Sequence, residues 1–246
     1  MESQKSNETS FTAGAAYYDA IYRARGKDYS AEVEYMRQLI QRHKRSAGNR
    51  LLEMACGTGR HTEHLVSHFQ VAGLDKDHGM LALARERLPQ VRFHNGDMAD
   101  FQLGERFDAV ICLFSSIGYV RTLQGLRDAV RAMAEHLSPG GILAIEPWMS
   151  PDEFRPSKPF ATFVDEPDLK VARMNVNVMR DSMSVLDFNY LVCTAEGVRH
   201  FREHHELGLF TQDEYRAAFR DSGLDTHFDP PGVISRGLYV GIRPLS

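Results

Sequence analysis

Five short apolar runs, each parted from the next by helical periodicity or a polar loop, constrain this chain most. They are Arg50–Ala55 (RLLEMA), Val71–Leu74, Val91–His94, Phe107–Phe114 (FDAVICLF) and Gly141–Glu146 (GILAIE). Helices are expected at about 60–69, 79–87 and 122–136. Strands that are apolar on both sides and alternate with helices fit a parallel sheet covered on both faces. The expected fold class is α/β, a Rossmann-like doubly wound sheet. Gly237–Ile242 (GLYVGI) reads as a terminal antiparallel strand. After the fifth strand the pattern changes. A Pro-rich connection, 147–159, precedes period-two alternation over 171–210, with a turn near 180–183. This reads as an antiparallel β insertion.

Residues 13–40 read as two helices broken near Gly26. Thr211-Gln-Asp-Glu214 is a capping box opening a further helix that Gly223 closes. One domain over 1–246 is expected, with 1–45 a helical N-terminal cap and about 151–210 the antiparallel β insertion. The 246 residues are 43% hydrophobic, enough for one sizeable core. The net charge of -4 offers no basic footprint for nucleic acid. Residues 1–12 are polar, with a frayed end expected. The first 20 residues show no apolar leader segment, so none is expected, and no run is long enough to span a bilayer. A cytoplasmic protein is expected. Cys56, Cys112 and Cys193 form no C-x-x-C pair, so they read as reduced thiols.

The strongest local signal is Glu53-Met-Ala55-Cys-Gly57-Thr-Gly59, set between a strand and a helix. Glycines let this turn bend tightly and bring a ligand to the backbone, at a helix N-terminus with free N–H groups. A dinucleotide fingerprint needs a third glycine three residues on; this chain has Thr62. Asp75, at the second strand end, is placed to accept both ribose hydroxyls. Asp97, in Asn95-Gly-Asp-Met98, is placed to accept from an adenine amino group, with Met98 against the ring. These features favour S-adenosylmethionine over NAD. The competing reading makes both acids loop caps.

The runs LLEMACGTGRHTEHL, VAGLDKDHGML, HNGDMADFQLGERFDAV and SSIGY resemble the Rossmann-like methyltransferases that act on small molecules. The resemblance narrows to the N,N-dimethyltransferases of nucleotide-linked amino sugars in macrolide pathways, those making desosamine and mycaminose. Tyr18-Asp19, Arg25-Gly-Lys-Asp-Tyr29, Glu146-Pro-Trp148, Val171-Ala-Arg173, Gly197-Val-Arg-His200, Leu209-Phe210 and Arg236-Gly-Leu carry it. The resemblance implies a cofactor site of Tyr18, Tyr29, Glu53, Ala55, Gly57, Gly59, Asp75, Lys76, Met80, Asp97, Met98 and Leu113. It implies a substrate site of Tyr22, Arg25, Glu146, Trp148, Arg173 and Arg236. The chain departs from the group at Asp229-Pro-Pro-Gly-Val-Ile-Ser235, at Met149 and at Asn175-Val-Asn177.

Methyl transfer from a sulfonium is an in-line displacement, mainly a positioning task. An amine acceptor needs only to lose its proton, whereas an alcohol needs a base or a metal. Tyr119 is placed to orient the amine, or serves as an aromatic lid. Glu146 ends the fifth strand, and Trp148 offers a flat surface for a base or sugar, or simply packs. Arg173 and Arg236 match a diphosphate. His200 and His204 share one strand face and His205 the other. His205 reads as a proton acceptor, and no metal is expected, since no H-E-x-x-H motif is present. The leading expectation is N-methylation of a TDP-linked deoxyamino sugar. The alternatives are another small amine or hydroxyl acceptor, a nicotinamide-dependent oxidoreductase, and a non-catalytic cofactor-binding protein. The oligomeric state stays open, with a homodimer among the expectations.

Overall fold

The computed structural model describes residues 14–233 and 236–245. The expectation for residues 1–12 lies outside them. Two compact units form, one from residues 28–154 and 207–245, the other from 14–27 and 155–206.

The larger unit is built on a seven-stranded sheet. Its strands in chain order are β1 (Arg50–Met54), β2 (Gln70–Asp75), β3 (Arg92–Asn95), β4 (Phe107–Cys112) and β5 (Leu137–Ile145). To these are added two late strands, taken up below. Helices α3 (Arg60–Leu65), α4 (His78–Arg87) and α5 (Leu123–Glu135) join the first five, and α2 (Tyr29–His43) precedes them. β1 pairs in parallel with both β2 and β4, β2 with β3, and β4 with β5. The chain thus runs outward from β1 to β3 and then returns to the other side of β1. At such a reversal the connecting loops part and leave a crevice at the strands' carboxyl ends.

Alternate residues of each central strand feed opposite cores. Leu52, Val110, Cys112 and Leu143 pack with Leu126, Val130 and Met133 of α5. Leu51, Ala109, Ile111 and Ile142 pack with Val33, Met36 and Ile40 of α2. This is why the strands read as unbroken apolar runs.

The structure refines several boundaries. β5 starts at Leu137, not Gly141, because Leu137 already pairs with Phe107 of β4, ahead of a register shift between Phe107 and Ala109. α3 stops at Leu65, where the amides of His68 and Phe69 turn back onto the Leu65 carbonyl. Two strands escaped the sequence reading. β6 (Pro159–Glu166) follows directly on the Pro-rich connection. β10 (Asp225–Asp229) has the sequence DTHFD, with almost no apolar signal. β10 lies antiparallel to β11 (Leu238–Ile242), which is itself antiparallel to β5. Between them in sequence, Thr211 caps α6 (Gln212–Asp221) with Glu214 in a reciprocal box, as expected.

The smaller unit is a four-stranded antiparallel sheet of β6, β7 (Leu169–Arg180), β8 (Met183–Thr194) and β9 (Gly197–Gly208). Its β7–β8 turn falls where expected. Helix α1 (Ala15–Ala24) packs Ala20 and Ile21 against Val164, Val171, Tyr190 and Val192 on one face. On the other face Phe163, Met174, Val176, Leu191 and Val198 are exposed.

Candidate active site

In the larger unit, β1 ends in a turn whose backbone is left-handed at Ala55, Gly57 and Gly59. The two glycines do different work. A Cβ on Gly59 would meet Cβ of Ala84 at 3.3 Å, so this position is set by packing on α4. A Cβ on Gly57 would meet nothing within 4 Å, so this position borders open space. The Gly57 N–H donates to Asp75 Oδ2 at 2.8 Å, and the Asp77 N–H donates to Oδ1 at 2.8 Å. Both carboxylate oxygens are thus fixed in direction, and each keeps a further lone pair. Burial pushes the Asp75 carboxyl above its ordinary range, against the pull of these backbone donors.

Thr62, at the position of the absent third glycine, is fully buried and donates its hydroxyl to Glu53 Oε2. His61 Nδ1 lies 3.5 Å from Glu53 Oε1, and its Nε2 lies 2.7 Å from Glu32 Oε2. The Tyr29 ring meets His61 edge-on at 4.9 Å. Tyr29 and Glu53 were expected here. Glu32 and His61 were not, because nothing local ties a residue of α2 to the start of α3.

Asp97 follows β3 with a side chain 51% exposed. One of its oxygens accepts the Ala99 N–H at 2.9 Å, and the other faces Lys76 Nζ at 3.4 Å. It therefore caps its turn while leaving much of the carboxylate open. Met98 is half-buried, whereas Met80 and Leu113 are buried. The Met80 amide is capped by Asp77.

Beyond β4, Phe114 and Ser115 are both left-handed, a conformation costing non-glycine residues roughly 1–2 kcal/mol each. Three bonds hold them there. Phe114 N–H donates to Glu146 Oε2 at 2.6 Å, and Ser115 Oγ donates to the Pro147 carbonyl at 2.7 Å. Arg236 donates to Ser115 Oγ at 2.6 Å, and its guanidinium sits 4.6 Å over the Trp148 ring. Tyr119 is half-buried in the short 3-10 turn Ser116–Val120. A Cβ on Gly118 would meet Cβ of Trp148 at 3.2 Å, so this glycine lets the tryptophan close on that turn. Glu146, Trp148 and Arg236 are thus brought together.

In the smaller unit, Tyr18 and Tyr22 pack at 4.5 Å on α1, with Arg25 5.8 Å over Tyr22. Arg173 is buried on the face covered by α1, 5.4 Å from the Tyr22 ring and 4.6 Å from Phe188. Next in line is Tyr190, whose phenol burial and Glu203 push well up. Glu203 Oε1 accepts the Gly14 N–H at 2.8 Å. Glu203 Oε2 lies 3.6 Å from Nε2 of His205, which is fully buried. His204 faces the other way, 2.7 Å from Asp187, and His200 is exposed. Among the described residues no cluster of His, Cys, Asp or Glu has the arrangement of a metal site.

A methyltransferase-domain model matches residues 51–141, from β1 into the middle of β5. The chain is 41% identical to dTDP-3-amino-3,4,6-trideoxy-alpha-D-glucopyranose N,N-dimethyltransferase of Streptomyces venezuelae, covering 93% of this chain and 97% of the relative. It is 40% identical to dTDP-4-amino-2,3,4,6-tetradeoxy-D-glucose N,N-dimethyltransferase of Saccharopolyspora spinosa, over 93% and 92%. The chain belongs to this methyltransferase family. Its fold matches the crystal structure of Streptomyces venezuelae DesVI with a TM-score of 0.89 at 40% identity, covering 94% and 98% of the two chains. It matches S-adenosylmethionine-bound CalS10, an amino pentose methyltransferase of Micromonospora echinaspora, at 0.84 and 39%, over 92% and 96%.

This methyltransferase uses S-adenosylmethionine, which closes the nicotinamide alternative. The residues of the larger unit fit that cofactor: the open ground beside Gly57 and the aimed Asp75 carboxylate suit a ligand with a ribose diol. The sequence reading missed Phe114 and Ser115, because a serine gives no sign of left-handed backbone. It also missed Tyr190 and Glu203, whose partners lie on other strands and on the start of α1.

Proposed function

We propose that this methyltransferase moves the methyl group of S-adenosylmethionine to the amino nitrogen of a dTDP-linked deoxyamino sugar. The observation that carries this reading is full-length identity of 39–41% to three N,N-dimethyltransferases. The substrates these relatives are named for differ in the sugar but share dTDP and an amine. The shared part is carried over, and the sugar itself is left to the test.

The amine lone pair attacks the methyl carbon, the S–CH3 bond breaks to leave a neutral thioether, and the resulting ammonium loses a proton. Nothing need be activated by a metal, so the protein's work is to hold the partners about 3–3.5 Å apart and in line. In the larger unit the proposed cofactor residues are the turn from Glu53 to Gly59 with Tyr29, Asp75, Lys76, Met80, Asp97, Met98 and Leu113. Asp75 takes the ribose hydroxyls, and Asp97 with Met98 takes the adenine. Tyr119 is assigned to orient the amine, Glu146 to the acceptor site, Trp148 to stack on the base or sugar, and Arg236 to hold the diphosphate. For the smaller unit the proposal assigns Tyr18 to the cofactor, Tyr22, Arg25 and Arg173 to the acceptor, and His205 to the departing proton.

The test is a mass-spectrometric assay with dTDP-3-amino and dTDP-4-amino sugars and with the same sugars lacking the nucleotide. Mass gains of one or two methyl groups confined to the nucleotide-linked amines support the reading. Methylation of free small amines or alcohols in preference would replace it with a broader acceptor class.

We also propose a cytoplasmic location and a homodimer. Among the described residues no helix is long and apolar enough to cross a membrane, in keeping with a cytoplasmic enzyme. The exposed apolar face of the smaller unit's sheet suits a homodimer, because a two-fold axis lays one such patch on its own copy. Light scattering on the wild type and on Phe163→Asp checks it. A monomeric wild type would remove the idea.

A further inference from the structure

Asp229 and Leu238 are ladder partners across β10 and β11. They are the two feet of the connection that carries Arg236. The first foot is tied to α2. The Tyr35 hydroxyl donates to Asp229 Oδ2 and also meets the backbone of Gly232. Burial and the Asp229 carboxylate push the Tyr35 phenol up to about 12, so it stays a donor throughout the working range. Val233, next along, packs on the same core cluster as Tyr35. Gly232 is left-handed, and a Cβ there would strike the backbone of Gly237 at 2.6 Å. Gly237 is the residue directly after Arg236 and is itself left-handed beneath the Phe228 ring. Gly237, directly after Arg236, is therefore seated on Gly232, and the Asp229–Gly232 stretch beneath it is held by Tyr35. Pro230 and Pro231 stiffen the stretch between Asp229 and Gly232.

We propose that Tyr35 and Asp229 are positioning residues for acceptor recognition, presetting Arg236 to receive the diphosphate. The proposal rests on the reading of Arg236 given above. Its physical basis is preorganisation. A flexible arginine must be ordered when the anion binds, whereas one whose backbone is already fixed loses less freedom for the same bond.

The experiment is calorimetric titration of dTDP, with S-adenosylhomocysteine present, into the wild type, Tyr35→Phe, Arg236→Ala and the double variant. S-adenosylmethionine affinity is measured alongside. Arg236→Ala is expected to weaken dTDP about ten-fold or more, as for loss of a charged bond. Tyr35→Phe is expected to weaken it about three- to five-fold and leave cofactor affinity unchanged. Because Tyr35 acts through Arg236, the double variant should match Arg236→Ala within about two-fold. Asp229→Asn, whose amide oxygen still accepts the phenol proton, should keep most of the affinity that Asp229→Ala loses. It also serves if Tyr35→Phe fails to fold.

If Arg236→Ala weakens dTDP but Tyr35→Phe and Asp229→Ala do not, the brace is wrong and the arginine's role stands. If Tyr35→Phe weakens dTDP equally with and without Arg236, Tyr35 acts on the fold at large and the proposal is overturned. If Arg236→Ala leaves dTDP binding unchanged, the diphosphate reading fails and the proposal falls with it.

Discussion

Replacing Asp75 by alanine removes two things that can be measured apart. The first is the acceptor for the cofactor's ribose. A hydrogen bond to a charged group contributes about 1.5–3 kcal/mol, so the dissociation constant for S-adenosylmethionine should rise about ten-fold or more. S-adenosylhomocysteine carries the same ribose and should weaken by the same factor. The second is the clamp on the turn, where the Gly57 and Asp77 amides lose their acceptor at 2.8 Å. Leaving two partly shielded donors without partners costs roughly 2–3 kcal/mol. That corresponds to a fall in Tm of roughly 5–10 °C for a chain of this size. Calorimetry gives the first quantity and scanning fluorimetry of the ligand-free protein the second. Asp75 also titrates above its ordinary range because it is buried. The folded chain therefore holds that proton more tightly than the unfolded chain. Stability of the ligand-free protein declines as pH rises through that window, while cofactor binding, which needs the carboxylate, strengthens across it. A variant that loses Tm but binds the cofactor with wild-type affinity at neutral pH would refute the ribose assignment and leave Asp75 as a pin for the turn.

The remaining predictions test other parts of the molecule. Activity should survive exhaustive EDTA treatment, since an amine nucleophile needs no Lewis acid; loss that zinc or magnesium restores would point to oxygen methylation. Native protein treated briefly with iodoacetamide near neutral pH should be alkylated at Cys193 alone, because burial shields Cys56 and Cys112 and pushes both thiols up; peptide mapping that finds Cys56 modified would show the glycine turn opening in solution. Glu146→Ala should lower Tm by several degrees, because it leaves the Phe114 amide without its acceptor, worth about 1–3 kcal/mol. Glu146→Gln keeps an oxygen there and should retain both Tm and acceptor KM; equal loss of acceptor KM in both variants at unchanged Tm would make Glu146 a direct acceptor contact.

What could be read from the sequence was whatever is encoded locally. The five apolar runs announced the parallel sheet because each strand is buried on both faces. The period-two alternation of Val176, Val178, Phe188 and Tyr190 announced the antiparallel sheet, and Thr211 with Glu214 announced the start of α6. β10 stayed hidden because DTHFD draws its strand conformation from pairing with β11 and not from its own composition. The site followed the same rule. Gly57, Gly59 and Asp75 were legible because a tight turn and a strand end carry their own residue signatures. His61, which lies beside Glu53, and its own partner Glu32 were not, since a bond from α2 to α3 spans 29 residues and leaves no periodic trace. Arg236 was visible as a motif match, but its bond to Ser115, 121 residues away, was not.

The acids around the turn sort by the depth of their strands. The sheet order places β5, β4 and β1 inside and β3 at an edge. Glu53 and Glu146, on or just past inner strands, are 2% and 1% exposed. A carboxylate that deep must be satisfied by the protein itself. Glu53 accordingly takes the Thr62 hydroxyl, and Glu146 takes the Phe114 amide. One oxygen of each thereby fixes backbone or a side chain that shapes the site. Asp75 and Asp97 stand farther out, on or after β2 and β3, and retain exposed or unfilled acceptor positions. They can meet a ligand without losing an internal partner. Substitution of the inner acids should therefore be felt first in stability. Substitution of the outer pair should be felt in affinity, with Asp75 straddling the two because it pins the glycine turn as well.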